Sequence, residues 1–131
     1  VVLLDTCVMI FDALAPDQLT KKAVRELEKA RYEGELGCSN ISLWEIAMLL
    51  SKGRIKVAIP PRDFLMDIIA ANKLKVLPIT PDIAYHSSHH PDFAHGDPAD
   101  RIIAATALHY KASLITCDAK LRNIKVLKTV W

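Results

Sequence analysis

Two spacings of apolar residues take turns along the chain. Short, mainly apolar runs cover residues 1–4, 36–39, 75–79, 112–116 and 126–130, the pattern of strands buried on both faces. Stripes at three- and four-residue intervals lie between them and predict helices. Val24, Leu27, Ala30 and Arg31 mark one that Thr20 caps and Gly34 stops, and Phe64, Leu65, Ile68, Ile69 and Asn72 mark another after Pro60-Pro61. A shorter helix is expected over residues 8–14. Thr80-Pro81 opens a further helix, and Ser42-Leu43-Trp44-Glu45 has capping-box spacing, with Ser42 as cap and Glu45 in the first turn. Trp44, flanked by apolar positions, is read as core rather than as a platform for a stacked base. The polar residues 86–96 read as a loop.

The last long helix is the most apolar. Asp97 has the short acceptor side chain of an N-cap, Pro98 suits the first helical position, and Asp100 puts a second carboxylate in the first turn. Residues 102–108 carry no charge and predict a helix buried nearly all round. Strands alternating with helices, and no hairpin dipeptide, argue for an α/β fold with a central, mostly parallel sheet of four to five strands. The 131 residues are expected to form a single domain.

Composition excludes several classes. No apolar run nears the roughly 18 residues of a membrane helix. Cys7, Cys38 and Cys117 are odd in number and widely spaced, so neither a disulfide framework nor a zinc ribbon is expected, and a reducing, cytoplasmic setting is. The chain lacks an initiator Met, and residues are expected before Val1. The net charge of +2 is too small to imply nucleic acid by itself. Its distribution says more: Lys111, Lys120, Arg122, Lys125 and Lys128 face Asp118 alone across residues 111–131. Lys120 and Arg122, with Arg101, are candidate phosphate contacts.

In parallel sheets the functional crevice lies beyond the carboxyl ends of the strands. Asp5 and Asp118 follow the first and fourth strands, and Glu45 and Asp100 sit in helices entered from the same edge. Each acid has an ordinary use as a turn former or cap. Together on one rim they would repel, and a divalent cation resolves that repulsion. All-oxygen ligands favour Mg²⁺ or Mn²⁺, ions that activate water and polarise phosphoryl oxygens. His86, His89, His90 and His95 could be imagined as a zinc site, but their spacing fits no helical pair and exposed loop histidines are the simpler reading.

Five blocks now carry a resemblance: Leu3-Leu4-Asp5-Thr6, residues 39–46 (Ser-Asn-Ile-Ser-Leu-Trp-Glu-Ile), Leu77-Pro78-Ile79-Thr80, His95-Gly96-Asp97-Pro98-Ala99-Asp100-Arg101 and Thr116-Cys117-Asp118. In this order and spacing, and out to Trp131, the chain resembles the PIN-domain ribonucleases of the VapC toxin family. The resemblance implies a PIN-like three-layer α/β/α sandwich. It puts the acidic quartet on Asp5, Glu45, Asp100 and Asp118, with Asp97 auxiliary and Thr6 and Thr116 supporting. It further implies Mg²⁺- or Mn²⁺-dependent hydrolysis of RNA to a 5′-phosphate, toxin action in a toxin–antitoxin pair, a cognate antitoxin partner and a homodimer. Cys7 and Asn40 depart from the family pattern, which expects His and a small apolar residue there. Two rivals remain: a catalytically silent PIN-like module binding RNA or protein, and an aspartyl-phosphate enzyme using Asp5. The second expects an Asp two residues after Asp5, and Cys7 stands there.

Overall fold

The computed structural model describes residues 1–93 and 96–131. Ala94 and His95, the latter part of the acidic motif and of the imagined zinc set, lie outside the described residues. Five strands form one parallel sheet in the order β3-β2-β1-β4-β5: β1 Val2–Leu4, β2 Leu36–Ser39, β3 Lys75–Leu77, β4 Ser113–Ile115 and β5 Lys128–Val130. The most apolar run is therefore the central strand. Leu4 pairs with Cys38 on one side and Ile115 on the other, which aligns the carboxyl ends of β1, β2 and β4. β3 is shorter than its apolar run because Pro78 has no N–H to continue a ladder.

Successive β1 side chains point to opposite faces, and the core divides accordingly. Leu4, Leu36, Cys38, Ile115 and Val130 pack with α1 (Thr6–Leu14), α2 (Lys21–Glu33), α3 (Asn40–Ser51) and α4 (Pro61–Asn72). Leu3 and Leu114 pack on the other face with α5 (Pro81–His89), α6 (Pro98–His109) and α7 (Ala119–Arg122). The three-layer sandwich is thus the expected one. Arg31 in α2 ties the first face together. Its guanidinium donates to Asp12 of α1 at 2.9 Å and to Asn72 of α4 at 2.8 and 3.0 Å. At Gly34 the chain turns with φ +69°, a left-handed cap where an L side chain is strained.

Three expectations need correction. α3 starts three residues early: Ser39 is its N-cap, so Ser42 is internal and Glu45 lies in the second turn. Residues 86–89 are helical because the helix that Thr80 caps runs on to His89, where Tyr85 and His89 stack one turn apart with centroids 4.3 Å distant. Trp44 is 58% exposed, since the side of α3 that packs inward carries Ser42 and Ile46 instead. The buried helix behaves as expected: residues 103–107 of α6 are all buried.

Candidate active site

Asp5 is the first residue past the central strand. Its backbone N–H still donates to Ile115 O at 3.0 Å, continuing the ladder, while its side chain caps α1 by accepting from Thr6 N at 2.8 Å. The other carboxylate oxygen, Oδ2, accepts from the Thr116 hydroxyl at 2.6 Å and lies 3.5 Å from Cys7 Sγ. Thr116 Oγ1 in turn accepts from Asp118 N at 3.0 Å. One buried threonine thus joins two acids that are 113 residues apart in sequence.

Glu45 enters from α3. Thr6 Oγ1 lies 2.5 Å from Glu45 Oε1 and 2.9 Å from Ser42 Oγ, and its single proton goes to the carboxylate. Ser42, buried one turn before Glu45, completes this link. Ser42 is thus not the cap expected from the sequence, and its i, i+3 spacing from Glu45 is the signal for this contact. Asp100 enters from the first turn of α6. Asp97 caps that helix, accepting from Ala99 N at 2.7 Å and Asp100 N at 3.4 Å. Asp118 caps α7, accepting from Lys120 N at 2.8 Å.

Asp5, Glu45, Asp100 and Asp118 line one open cavity of about 380 Å³ with Thr6, Cys7 and Cys117. Asp97 stands outside its lining, though its charge reaches both Glu45 and Asp100. None of the four acids has an ion-pair partner among the described residues; the pairs that form use Glu35, Asp12 and Glu28.

Electrostatics follow from that arrangement. Burial pushes the Asp100 carboxyl up to about 7, and Asp5, Asp118, Asp97 and Glu45 add repulsion in the same direction. Glu45 is raised by burial and by Asp5 and Asp97, against the Thr6 hydrogen bond. Asp5 is also raised, because burial outweighs the hydrogen bonds from Thr116, Thr6 and Cys7. Burial, the Asp5 charge and Cys117 push the Cys7 thiol far up. The site holds more negative charge than its own hydrogen bonds relieve.

That surplus is the observation against which a divalent cation is tested. The donors are carboxylates and hydroxyls, suited to a hard ion, and no Lys or Arg of the described residues pairs with any of the four acids. No three described His, Cys, Asp or Glu side chains are gathered at ion-holding distance. The residues fit an Mg²⁺ or Mn²⁺ ion that keeps much of its water shell.

Beside this cavity lies a larger one of about 600 Å³ that shares Asp100. Arg101, Lys120 and Lys125 bring positive charge to it, and Ala104, Leu121 and Ile124 give it an apolar floor. Arg122 lines neither cavity. Lys125 and Asn123 are additions to the expected set, and the basic surplus after residue 111 was the signal for Lys125. The described histidines form no metal site: His89 Nδ1 bonds Ser88 Oγ and Tyr85 O within α5, and His90 Nδ1 accepts from Asp92 N.

Comparison with known proteins agrees with this geometry. The PIN domain family model matches residues 2–127. The chain is 36% identical over 132 residues to Ribonuclease VapC22 of Mycobacterium tuberculosis (strain ATCC 25618 / H37Rv), covering 99% of this chain and 98% of that protein. Among solved structures it is similar to VapBC2 from Rickettsia felis bound to a promoter DNA fragment, with TM-score 0.72, 17% identity and coverage of 97% and 95%. A toxin–antitoxin complex from Klebsiella pneumoniae gives TM-score 0.68 at 22% identity, covering 100% of this chain and 97% of that one. FitAcB from Neisseria gonorrhoeae gives 0.66 at 20%, covering 98% and 96%. The structural likenesses carry the fold, and the family match and the sequence identity carry the kinship: the chain belongs to the PIN-domain family, among the VapC ribonucleases.

Proposed function

We propose that this chain is a divalent-metal-dependent endoribonuclease, the toxin of a toxin–antitoxin pair, working as one unit over residues 1–131. The observation that carries the reading is the shared cavity of Asp5, Glu45, Asp100 and Asp118, four acids with no ion-pair partner among the described residues. These residues, with Asp97 as an outer contributor, would hold Mg²⁺ or Mn²⁺. The bound ion supplies Lewis acidity for the scissile phosphate and lowers the pKa of water in its shell.

The remaining work falls to the chain. Thr116 fixes Asp5 Oδ2 and the Asp118 backbone, and Thr6 fixes Glu45, so two carboxylates are held by hydroxyl groups and a third, Asp118, is positioned through its backbone. One of these carboxylates would assist removal of a proton from water. Arg101 and Lys120 would hold phosphates of the flanking RNA across the adjoining cavity, with Arg122 on the nearby surface. RNA as substrate agrees with the name of the M. tuberculosis relative, and an antitoxin partner with the Klebsiella complex. A homodimer and a cytoplasmic location complete the proposal; no helix of the described residues is long and apolar enough to cross a membrane.

A silent binding module is not favoured, because binding alone gives no reason to bury mutually repelling acids. The test is to incubate the purified chain with cellular RNA plus Mg²⁺ or Mn²⁺, and with chelator, and to sequence the new 5′ ends. Cleavage at defined sites only with metal is expected. No cleavage of any RNA with Mn²⁺ present would contradict the proposal.

A further inference from the structure

Two of the three cysteines line the carboxylate cavity and have no part in the chemistry above. Cys7 is the second residue of α1 and Cys117 lies just past β4. β1 and β4 are neighbouring parallel strands in register at Leu4 and Ile115, so the residues just beyond both ends meet on the same rim. The two sulfur atoms are 2.7 Å apart across a sequence separation of 110 residues. Both are free thiols, both are half-buried rather than sealed in, and both border an open cavity that admits a small oxidant. A disulfide needs the sulfurs at about 2.05 Å, a small closure that the two side chains and the segments carrying them would share. Cys38 is fully buried among apolar side chains and is no competitor for either.

We propose that Cys7 and Cys117 are a modification site, a reversible intramolecular disulfide that lowers activity at the carboxylate cavity when oxidised. With hydrogen peroxide, the Cys117 thiol becomes a sulfenic acid and releases water. The sulfur of the other thiol then attacks it, the S–S bond forms, and a second water leaves with the thiol proton. Two thiols lose two electrons and two protons in all, and the peroxide O–O bond is reduced to two waters. A dithiol reverses the bond by exchange.

The location gives the bond its consequence. Cys7 is two residues after Asp5, and Cys117 is the residue before Asp118. Oxidation removes the thiol that faces Asp5 Oδ2 at 3.5 Å and draws the segment carrying Asp118 toward α1. Two of the four acids shift relative to Glu45 and Asp100, whose own elements are untouched. Catalytic groups must be held to within about 0.5 Å of their productive geometry, so a shift of a few tenths of an ångström is costly in rate.

The effect on activity rests on the nuclease reading, whereas formation of the bond does not, so two readouts separate them. Reduced protein is treated with hydrogen peroxide, its intact mass is measured, and its thiols are counted after denaturation, before and after a dithiol. The expected result is loss of two hydrogens, a fall from three free thiols to one, and a peptide map joining Cys7 to Cys117. Cys117→Ser is expected to lose no mass under the same treatment. RNA cleavage by the oxidised wild type is expected to fall about tenfold or more relative to its reduced form and to return with dithiol. Cys117→Ser, compared with its own untreated form, is expected to be unaffected. Three titratable thiols after peroxide, or a disulfide through Cys38, overturns the modification site. A mapped Cys7–Cys117 bond with undiminished cleavage overturns its inhibitory role. Reduced wild type that cleaves no RNA overturns the nuclease reading and the inhibition with it, while the mass still decides whether the bond forms.

Discussion

Asp100 is the residue on which charge presses hardest. Its carboxyl is raised from 3.8 to about 7, so ionising it in the fold is less favourable than in the unfolded chain. Between those values the folded state holds more protons than the unfolded one, and stability from this group falls as pH rises from about 4 to about 7. Metal-free wild type is therefore expected to lose stability against Asp100→Asn across that window, read as the difference between their melting temperatures at each pH. Parallel curves would remove the repulsion from the account. Thr116 gives the complementary case. Thr116→Val leaves Asp5 Oδ2 without its closest donor, and the expected cost is about 1–3 kcal/mol in denaturant unfolding, because a buried acceptor goes unmet. Thr116→Ser, which keeps the hydroxyl, is expected to recover much of it.

At the scale of elements, α6 supports two acids in different ways. Asp97 caps the helix through Ala99 N and Asp100 N, and Asp97→Ala is expected to destabilise the chain by about 1 kcal/mol, whereas Asp97→Asn keeps the cap. RNA cleavage by Asp97→Asn then isolates its charge: a modest loss fits an outer contributor, and a loss equal to that of Asp100→Asn would make it a principal ligand. This helix was legible in the sequence because cap, proline and apolar run are local signals. The strand-end acids Asp5 and Asp118 were legible for the same reason. The helix carrying Glu45 was legible but its start was not, since Ser39 and Ser42 are both side chains suited to a cap and only the length of β2 decides between them. The exposure of Trp44 was not legible, because which side of α3 packs inward depends on the neighbouring helices. Nor was the meeting of Cys7 with Cys117, which follows from strand order and not from either neighbourhood.

For the whole molecule, the sheet order is what gathers the acids: β1 lies between β2 and β4, so Asp5 stands between the segments leading to Glu45 and Asp118. A site assembled from distant segments exists only in the folded chain, and a cation bound there stabilises the fold. Mn²⁺ at a hundred times its dissociation constant is expected to add about 2.7 kcal/mol, reversed by chelator and much reduced in Asp5→Asn. An unchanged melting temperature at saturating Mn²⁺ would count against the cation. The central claim, that this gathered quartet hydrolyses RNA, is tested most directly by single-turnover cleavage of one mapped RNA at saturating Mn²⁺, with wild type beside Asp5→Asn and the fold of each checked by circular dichroism. A loss of about 100-fold or more is expected with the fold intact. Cleavage by a folded Asp5→Asn at the wild-type rate would contradict it.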